Sequence, residues 1–120
     1  MRVRLTREFT FEAAHLLPEA PEGHKCRRLH GHSFRVEVTV EGTVDSRTGW
    51  FLDYGVIDEQ TEPIRVELDH RYLNEIAGLE NPTSELLARW IWERLKPRLG
   101  SLGRVVVRET CESRCEYEGR

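Results

Sequence analysis

The segment HGHSFRVEVTVE, residues 30–41, alternates apolar and polar side chains along most of its length. From residue 34 onward the apolar side chains occupy the even positions, Phe34, Val36, Val38 and Val40. A period of two is typical of a strand that buries one face and exposes the other. We therefore predict a half-buried strand, on whose apolar face His30 and His32 also lie.

Further strands are predicted on either side of this one. Near the N-terminus the apolar side chains fall on odd positions, Val3, Leu5, Phe9 and Phe11, with Arg7 as the exception. The three valines at residues 105–107 predict a third strand, and residues 115–117 predict a short fourth strand.

Two helices are expected between the second and third strands. Residues 53–67 place apolar side chains on one side of a helix that Pro63 would kink or limit. An ordered loop follows at residues 69–79. Next, Asn81-Pro82-Thr83-Ser84-Glu85 combines cap-type residues with an early proline, which indicates a helix start. Apolar residues at helical spacing then cover residues 86–99, before two glycines.

The order ββααββ predicts an α+β fold, in which an antiparallel sheet carries two helices on one face. Because the helices cover only one face, the other face or a sheet edge is available for subunit association.

Composition restricts the class of protein. The 120 residues suit a single domain, which we assign to residues 1–120. With 18 basic and 21 acidic residues, the net charge of -3 argues against a nucleic-acid partner. No apolar run is long enough for a membrane helix, and the N-terminus lacks the apolar core of a signal peptide. Three cysteines make an odd count, unlike a secreted disulfide scaffold, so we expect a cytoplasmic protein.

Three histidines are candidate metal ligands. His30 and His32 lie two residues apart on one strand face, and imidazoles about 7 Å apart can converge on one ion. His15 lies across from them if the first strand extends so far and pairs as a hairpin. Three nitrogens with one open position are typical of catalytic zinc, whereas Cys26 as fourth ligand would make the site closed and structural. Two ordinary strand histidines are the alternative for His30 and His32.

Cys26 is flanked by Lys25, Arg27 and Arg28. Nearby cations favour a thiolate, which would serve as nucleophile or base, and an inert thiol is the alternative. The three cationic side chains could bind a phosphate, or they could be the solvated side chains of a loop, and the sequence favours neither interpretation. Cys111 and Cys115 have no histidines nearby, so packing roles are favoured for them.

Two further acidic positions are candidates. Asp69 beside His70 could fix the imidazole tautomer and raise its basicity, although a loop-stabilising pair is the more ordinary interpretation. Glu109 ends the third strand on the inward parity, where a carboxylate needs a partner. It would be a partnered core ion, part of a frayed strand end, or a bidentate acceptor for two adjacent N–H groups of a ligand.

An ordered set of motifs then points to a known family. The motifs are Phe11-Glu12-Ala13-Ala14-His15, Cys26-x-x-x-His30-Gly31-His32, Leu68-Asp69-His70, Asn81-Pro82-Thr83-Ser84-Glu85 and Glu109-Thr110. From the first strand to Gly119, the chain resembles the 6-pyruvoyl-tetrahydropterin synthase superfamily. The short gap between Cys26 and His30 resembles its bacterial 6-carboxy-5,6,7,8-tetrahydropterin synthase branch, of the queuosine pathway.

The resemblance implies a tunnelling fold, in which subunits join their sheets into a barrel, commonly a homohexamer built as a dimer of trimers. It implies that His15, His30 and His32 bind Zn2+. It further implies that Cys26 is the general base, with Asp69 and His70 as its proton-transfer partners. Glu109 would anchor the pterin ring. The implied reaction converts 7,8-dihydroneopterin triphosphate to 6-carboxy-tetrahydropterin, acetaldehyde and triphosphate.

Two alternatives remain open at this point. The pyruvoyl branch eliminates triphosphate without releasing acetaldehyde. A non-catalytic, zinc-stabilised oligomeric module would use Cys26 as a fourth ligand.

Overall fold

A long antiparallel hairpin forms the centre of the molecule. In the computed structural model, which describes residues 1–120, β1 spans Arg2–His15 and β2 spans His30–Thr43. The strands pair along their whole length, from Arg2 opposite Thr43 to His15 opposite His30. The predicted apolar face of β2 is fully buried at Phe34, Val36, Val38 and Val40. Both predicted strands are thus confirmed, and β1 does extend to His15.

Three shorter strands complete a five-stranded mixed sheet of order β3-β1-β2-β4-β5. The predicted third and fourth strands are β4, Leu102–Arg108, and β5, Cys115–Tyr117. Strand β4 pairs antiparallel with β2, and β5 pairs antiparallel with β4. The strand β3, Arg71–Tyr72, pairs in parallel with β1 inside the segment expected to be an ordered loop. Two residues are too few to show a strand period, so sequence patterning could not reveal it.

The first helix, α1, spans Tyr54–Leu68. Its N-cap is Asp53, whose side chain accepts a hydrogen bond from the Gly55 N–H at 2.8 Å. Pro63 was expected to kink or limit this helix, but α1 continues for another turn beyond it. Because Pro63 lacks an N–H, the carbonyl of Glu59 loses its helical donor. Both residues are exposed, so water can satisfy that carbonyl.

The second helix, α2, spans Ser84–Leu95. Thr83 is its N-cap and accepts a hydrogen bond from the Leu86 N–H at 3.1 Å, which confirms the predicted start. The helix ends before the predicted apolar stretch does. Leu99 nevertheless stays buried in the turn that follows, which explains why the periodicity ran beyond the helix. Neither helix has the length and apolar character needed to cross a membrane.

The core lies between the sheet and the helices. Helix α1 packs on β1, and α2 packs on β4 and β5. Buried apolar side chains from both helices and from β1, β2 and β4 form one continuous cluster. The α+β fold class with helices on one face of the sheet is therefore confirmed.

The opposite, helix-free face of the sheet is covered by cross-strand ion pairs. They are Arg4–Glu41 at 3.2 Å, Arg35–Glu8 at 2.8 Å and Arg108–Glu37 at 2.9 Å. Opposite charges facing each other across neighbouring strands support the pairing register. Polar side chains thus occupy the positions that alternate with the core residues.

Candidate active site

Three imidazoles converge at the open end of the β1–β2 hairpin. His15 is the last residue of β1 and lies directly opposite His30, the first residue of β2, while His32 lies opposite Ala13. The ring centroids are 4.6 Å apart for His15–His30, 5.1 Å for His15–His32 and 4.9 Å for His30–His32. One nitrogen from each ring lies within 4.8 Å of the others. This group can hold a metal ion.

Backbone carbonyls determine which ring nitrogen faces the cluster. The Pro82 carbonyl lies 2.9 Å from His15 Nδ1, and the Arg28 carbonyl lies 2.7 Å from His30 Nδ1. A carbonyl oxygen only accepts, so each Nδ1 carries the proton and each Nε2 keeps its lone pair. His15 Nε2 is buried and has no hydrogen-bond partner. A buried acceptor without a donor is costly unless a cation fills the position.

The environment of His15 favours the neutral ring. Its side chain is completely buried, and this burial lowers the pKa of His15. The Pro82 carbonyl and the Glu109 carboxylate act in the opposite direction, and the neighbouring His30 and His32 add to the lowering. Metal binding requires a neutral imidazole. The donor set, three nitrogens without a thiolate, fits a zinc-type ion with one open position.

Glu109 lies beside this cluster. It directly follows β4, whose last residue, Arg108, lies opposite Arg35 on β2. Its Oε2 is 3.9 Å from His32 Nε2, and 22% of its side chain is exposed. Glu109 also lines a cavity of about 330 Å³ together with Ser33, Arg35, Arg108, Thr110 and Cys111. Its carboxylate can therefore reach a ligand bound next to the histidines.

Asp69 and His70 form a second, separate group. Asp69 caps the C-terminal end of α1, and its Oδ1 accepts the Glu12 N–H at 2.9 Å. Its Oδ2 lies 3.0 Å from His70 Nδ1. The Glu12 N–H first and the His70 ring second hold the pKa of Asp69 below its usual range. An ionised Asp69 can accept a hydrogen bond from His70 Nδ1, a contact that is compatible with both interpretations of the adjacent pair.

The backbone at His70 turns its ring away from the core. His70 has a φ of 58°, an uncommon left-handed conformation, and its N–H donates to the Glu12 carbonyl at 2.6 Å. As a result 79% of its side chain is exposed. It lines an open groove of about 610 Å³ that is also bordered by His32, Ser33 and Tyr72. No hydrogen bond or ion pair joins Asp69 or His70 to the three-histidine cluster.

Cys26 lies in the loop between β1 and β2, in a single 3₁₀ turn over Lys25–Arg27. Its N–H donates to His24 Nδ1 at 3.0 Å, and its carbonyl accepts the Leu17 N–H at 2.7 Å. The thiol is free and half-buried, and the metal-binding group of three histidines does not include it. Cys26 is therefore near the open end of the hairpin without being part of the ligand set.

The other cysteines differ from each other. Cys115 packs against the core from β5, and burial raises the pKa of its thiol. Cys111, for which a packing role was favoured, is exposed and lines the cavity beside Glu109.

Two residues that support the site, Pro82 and Asn74, are not identified as site residues by the sequence analysis. Pro82 was assigned only to a helix start, yet its carbonyl orients His15. Asn74 hydrogen-bonds both backbone groups of Leu16, the residue after His15: its Oδ1 accepts the Leu16 N–H at 3.0 Å and its Nδ2 donates to the Leu16 carbonyl at 2.9 Å. The same Nδ2 lies 3.2 Å from the Glu80 carbonyl. The one hint in the sequence is that Pro82 directly precedes the N-cap Thr83. The Pro82 carbonyl therefore takes no part in the hydrogen bonds of the helix and is free to accept one from a side chain.

Comparison with known proteins indicates the same family as the sequence motifs. A family model described as 6-pyruvoyl tetrahydropterin synthase matches residues 4–120. The chain is 48% identical to a 6-carboxy-5,6,7,8-tetrahydropterin synthase of Synechocystis sp., over 92% of this chain and 89% of that protein. It is 37% identical to a dihydroneopterin monophosphate aldolase of Pyrococcus furiosus, over 82% of this chain and 80% of that protein.

A solved structure is also closely similar. The 6-pyruvoyl tetrahydropterin synthase of Caenorhabditis elegans superimposes with a TM-score of 0.91 at 26% identity, covering 100% of this chain and 97% of that one.

Proposed function

The chain belongs to the 6-pyruvoyl tetrahydropterin synthase family, a group of lyase-type enzymes of pterin metabolism, and we propose that it is a zinc-dependent 6-carboxy-5,6,7,8-tetrahydropterin synthase. The proposed substrates are 7,8-dihydroneopterin triphosphate and one water, and the products are 6-carboxy-tetrahydropterin, acetaldehyde and triphosphate. The reaction belongs to queuosine biosynthesis. The observation that carries the proposal is the cluster of His15, His30 and His32 with an unpartnered Nε2 at its centre.

The choice of branch rests on two observations. The relative with 48% identity is named for the carboxy reaction, and the gap between Cys26 and His30 has the short spacing of that branch. The pyruvoyl reaction is the second candidate, because the Caenorhabditis elegans structure with a TM-score of 0.91 bears that name. The two reactions differ in whether carbon–carbon cleavage follows the loss of triphosphate.

Zinc held by the three histidines would act as a Lewis acid on the side-chain oxygens of the substrate. Glu109 anchors the pterin, because its two carboxylate oxygens can accept from an amino group and an adjacent ring N–H. Cys26 removes a proton from a hydroxyl-bearing carbon of the side chain.

His70 returns a proton, and Asp69 orients its ring. The 3.0 Å contact between the two side chains supports this role. Because His70 points into open solvent in a single chain, we propose that it serves the site of a neighbouring subunit. The proposed assembly is a homohexamer, a dimer of trimers, in which the helix-free face and the sheet edges meet other copies.

All three cysteines are free, which suits a protein of the reducing cytoplasm. Zinc, rather than a nucleotide or redox cofactor, is the proposed cofactor. The proposed ligands are the neutral Nε2 atoms of the histidine cluster.

The decisive experiment is incubation of the purified protein with 7,8-dihydroneopterin triphosphate, followed by identification of the pterin and of the small product. We expect 6-carboxy-tetrahydropterin and one acetaldehyde for each triphosphate released. A 6-pyruvoyl product without acetaldehyde would identify the pyruvoyl reaction instead. The absence of any turnover in zinc-loaded, correctly assembled protein would favour a non-catalytic module.

A further inference from the structure

Lys25, Arg27 and Arg28 stand out because their charges are not neutralised within the chain. All three are exposed, and none of them forms an ion pair or a side-chain hydrogen bond. Three arginines of the helix-free face, Arg4, Arg35 and Arg108, behave differently, since each of them is paired with a glutamate. We call residues 25–28 the basic turn. It concentrates unpaired positive charge in a protein whose net charge is -3.

The basic turn borders a cavity of suitable size and chemistry for an anion. Arg27 and Arg28 line a space of about 470 Å³ together with Glu22, Gly23 and His24, and no apolar side chain contributes to it. The two guanidinium groups of Arg27 and Arg28 outnumber the single carboxylate of Glu22, so the lining of the cavity carries a net positive charge. Gly23 has a φ of 83°, which lets the chain turn back at the rim of the cavity. Such a lining, with two cations and no apolar side chain, suits a phosphate chain.

The backbone connects the basic turn to the candidate active site. The Arg28 carbonyl accepts the His30 Nδ1 hydrogen at 2.7 Å, and the Cys26 carbonyl accepts the Leu17 N–H at 2.7 Å. Arg28 is two residues from a proposed metal ligand, a separation of about 7 Å in extended chain. The turn is therefore hydrogen-bonded to His30 at the start of β2 and to Leu17, two residues after the end of β1, which places it next to the histidine cluster.

We propose that Lys25, Arg27 and Arg28 bind the phosphate chain of a polyphosphate ester substrate. Guanidinium groups form paired, charge-assisted hydrogen bonds with phosphate oxygens, and the ammonium group adds a mobile point charge. This proposal rests on the proposed function, because it assigns the end of the substrate that lies away from Glu109. It also gives the turn that carries Cys26 a second role, that of binding the substrate.

The first test measures binding without any turnover. Inorganic tripolyphosphate is titrated calorimetrically into the zinc-loaded protein, into R27Q/R28Q and into R47Q/R98Q. Arg47 and Arg98 are also exposed and without ion pairs, so the second variant is matched in charge. We expect the affinity to fall at least about tenfold in R27Q/R28Q only, since two charge-assisted contacts are lost. Zinc analysis after each titration verifies that tripolyphosphate has not removed the metal.

The second test separates this site from the chemistry. With 7,8-dihydroneopterin triphosphate, R27Q/R28Q and K25Q should raise KM much more than they lower kcat. Binding of dephosphorylated dihydroneopterin should not change. Equal tripolyphosphate affinity in wild-type protein and R27Q/R28Q would overturn the assignment, even if the enzyme makes the proposed products. Selective loss of tripolyphosphate binding in a protein without turnover would instead uphold the anion site and contradict the proposed function.

Discussion

His15 Nδ1 and the Pro82 carbonyl oxygen are 2.9 Å apart, although the two residues are separated by 67 positions in the chain. The contact joins the end of β1 to the residue that precedes the N-cap of α2. It directs the free Nε2 of His15 toward His30 and His32, while burial of the ring favours its neutral form. Docking of α2 onto the sheet thus fixes the orientation of a histidine that the hairpin supplies.

Replacing His30 or His32 with Ala should remove most of the bound zinc while leaving the protein folded. Each variant deletes one of three nitrogens, and the remaining two cannot complete a tetrahedral site. Elemental analysis measures zinc per chain, and circular dichroism verifies the fold. His24→Ala is the matched control, because His24 lies outside the cluster, and it should keep its zinc. Full zinc retention in both cluster variants would contradict the assignment.

Cys26→Ala should retain zinc and bind pterin but lose turnover. The metal-binding group consists of the three histidines alone, so removal of the thiol leaves it complete. The loss of turnover follows from the proposed role of Cys26 as general base. Parallel zinc and product assays test both halves. If the variant loses its zinc instead, Cys26 is a fourth ligand and the site is structural.

Glu109→Gln should weaken the binding of a pterin product by at least about tenfold. The substitution replaces one acceptor oxygen with an NH2 group, which then faces a donor of the ring, and a buried unpaired donor costs about 1–3 kcal/mol. Calorimetric titration gives the affinity directly. Zinc content and oligomer size serve as controls and should not change. A correctly assembled variant with unaltered affinity would refute the anchor role.

Asp69→Asn should make the free energy of unfolding less dependent on pH in the acidic range. Because the folded-state pKa of Asp69 is lowered, its contribution to the free energy of unfolding is present above the ordinary value of about 3.9. It is lost as the pH falls through the lowered value. Urea unfolding of metal-free protein between about pH 5 and pH 3 should show a smaller loss for the variant. If the free energy of unfolding changes with pH in the same way in both proteins, the Asp69 carboxylate does not contribute to the acid dependence of stability.

Asn74→Ala should lower the free energy of unfolding by about 1–3 kcal/mol, because it leaves the backbone groups of Leu16 without partners. It should also weaken zinc binding, since Leu16 directly follows His15. Asn81→Ala is the control: Asn81 Oδ1 is buried and has no partner, so its removal should cost little. Equal effects in the two variants would argue against a specific role for Asn74.

Local patterning predicts the hairpin well for a physical reason. Alternation in β2 assigns His30 and His32 to the buried face, and the same parity on β1 assigns His15. A shift of register by one residue would move every core side chain to solvent, so the pattern and the pairing specify each other. The N-cap at Thr83 can be predicted equally well from the sequence, because capping depends on residues that are close to each other in the chain.

The remaining features depend on contacts between distant segments. Strand β3 exists only because Arg71 and Tyr72 meet the edge of β1, and the left-handed backbone of His70 depends on the Glu12 carbonyl. The adjacent pair Asp69-His70 was therefore recognisable, whereas its position on the exposed groove was not. Helix α1 continues through Pro63 because the apolar face beyond it, with Ile64 and Leu68, is buried, and this packing outweighs the lost hydrogen bond.

The 14 residue pairs of β1 and β2 also have an evolutionary consequence. Their register holds His15 opposite His30 whatever the length of the loop between them, because surface loops tolerate insertions at small entropic cost. Residues 16–29 contain Cys26 and the basic turn but none of the three histidines. Descendants of one ancestor can thus alter the proposed base and the proposed phosphate contacts by mutation and insertion, while the arrangement of the three histidines is inherited unchanged.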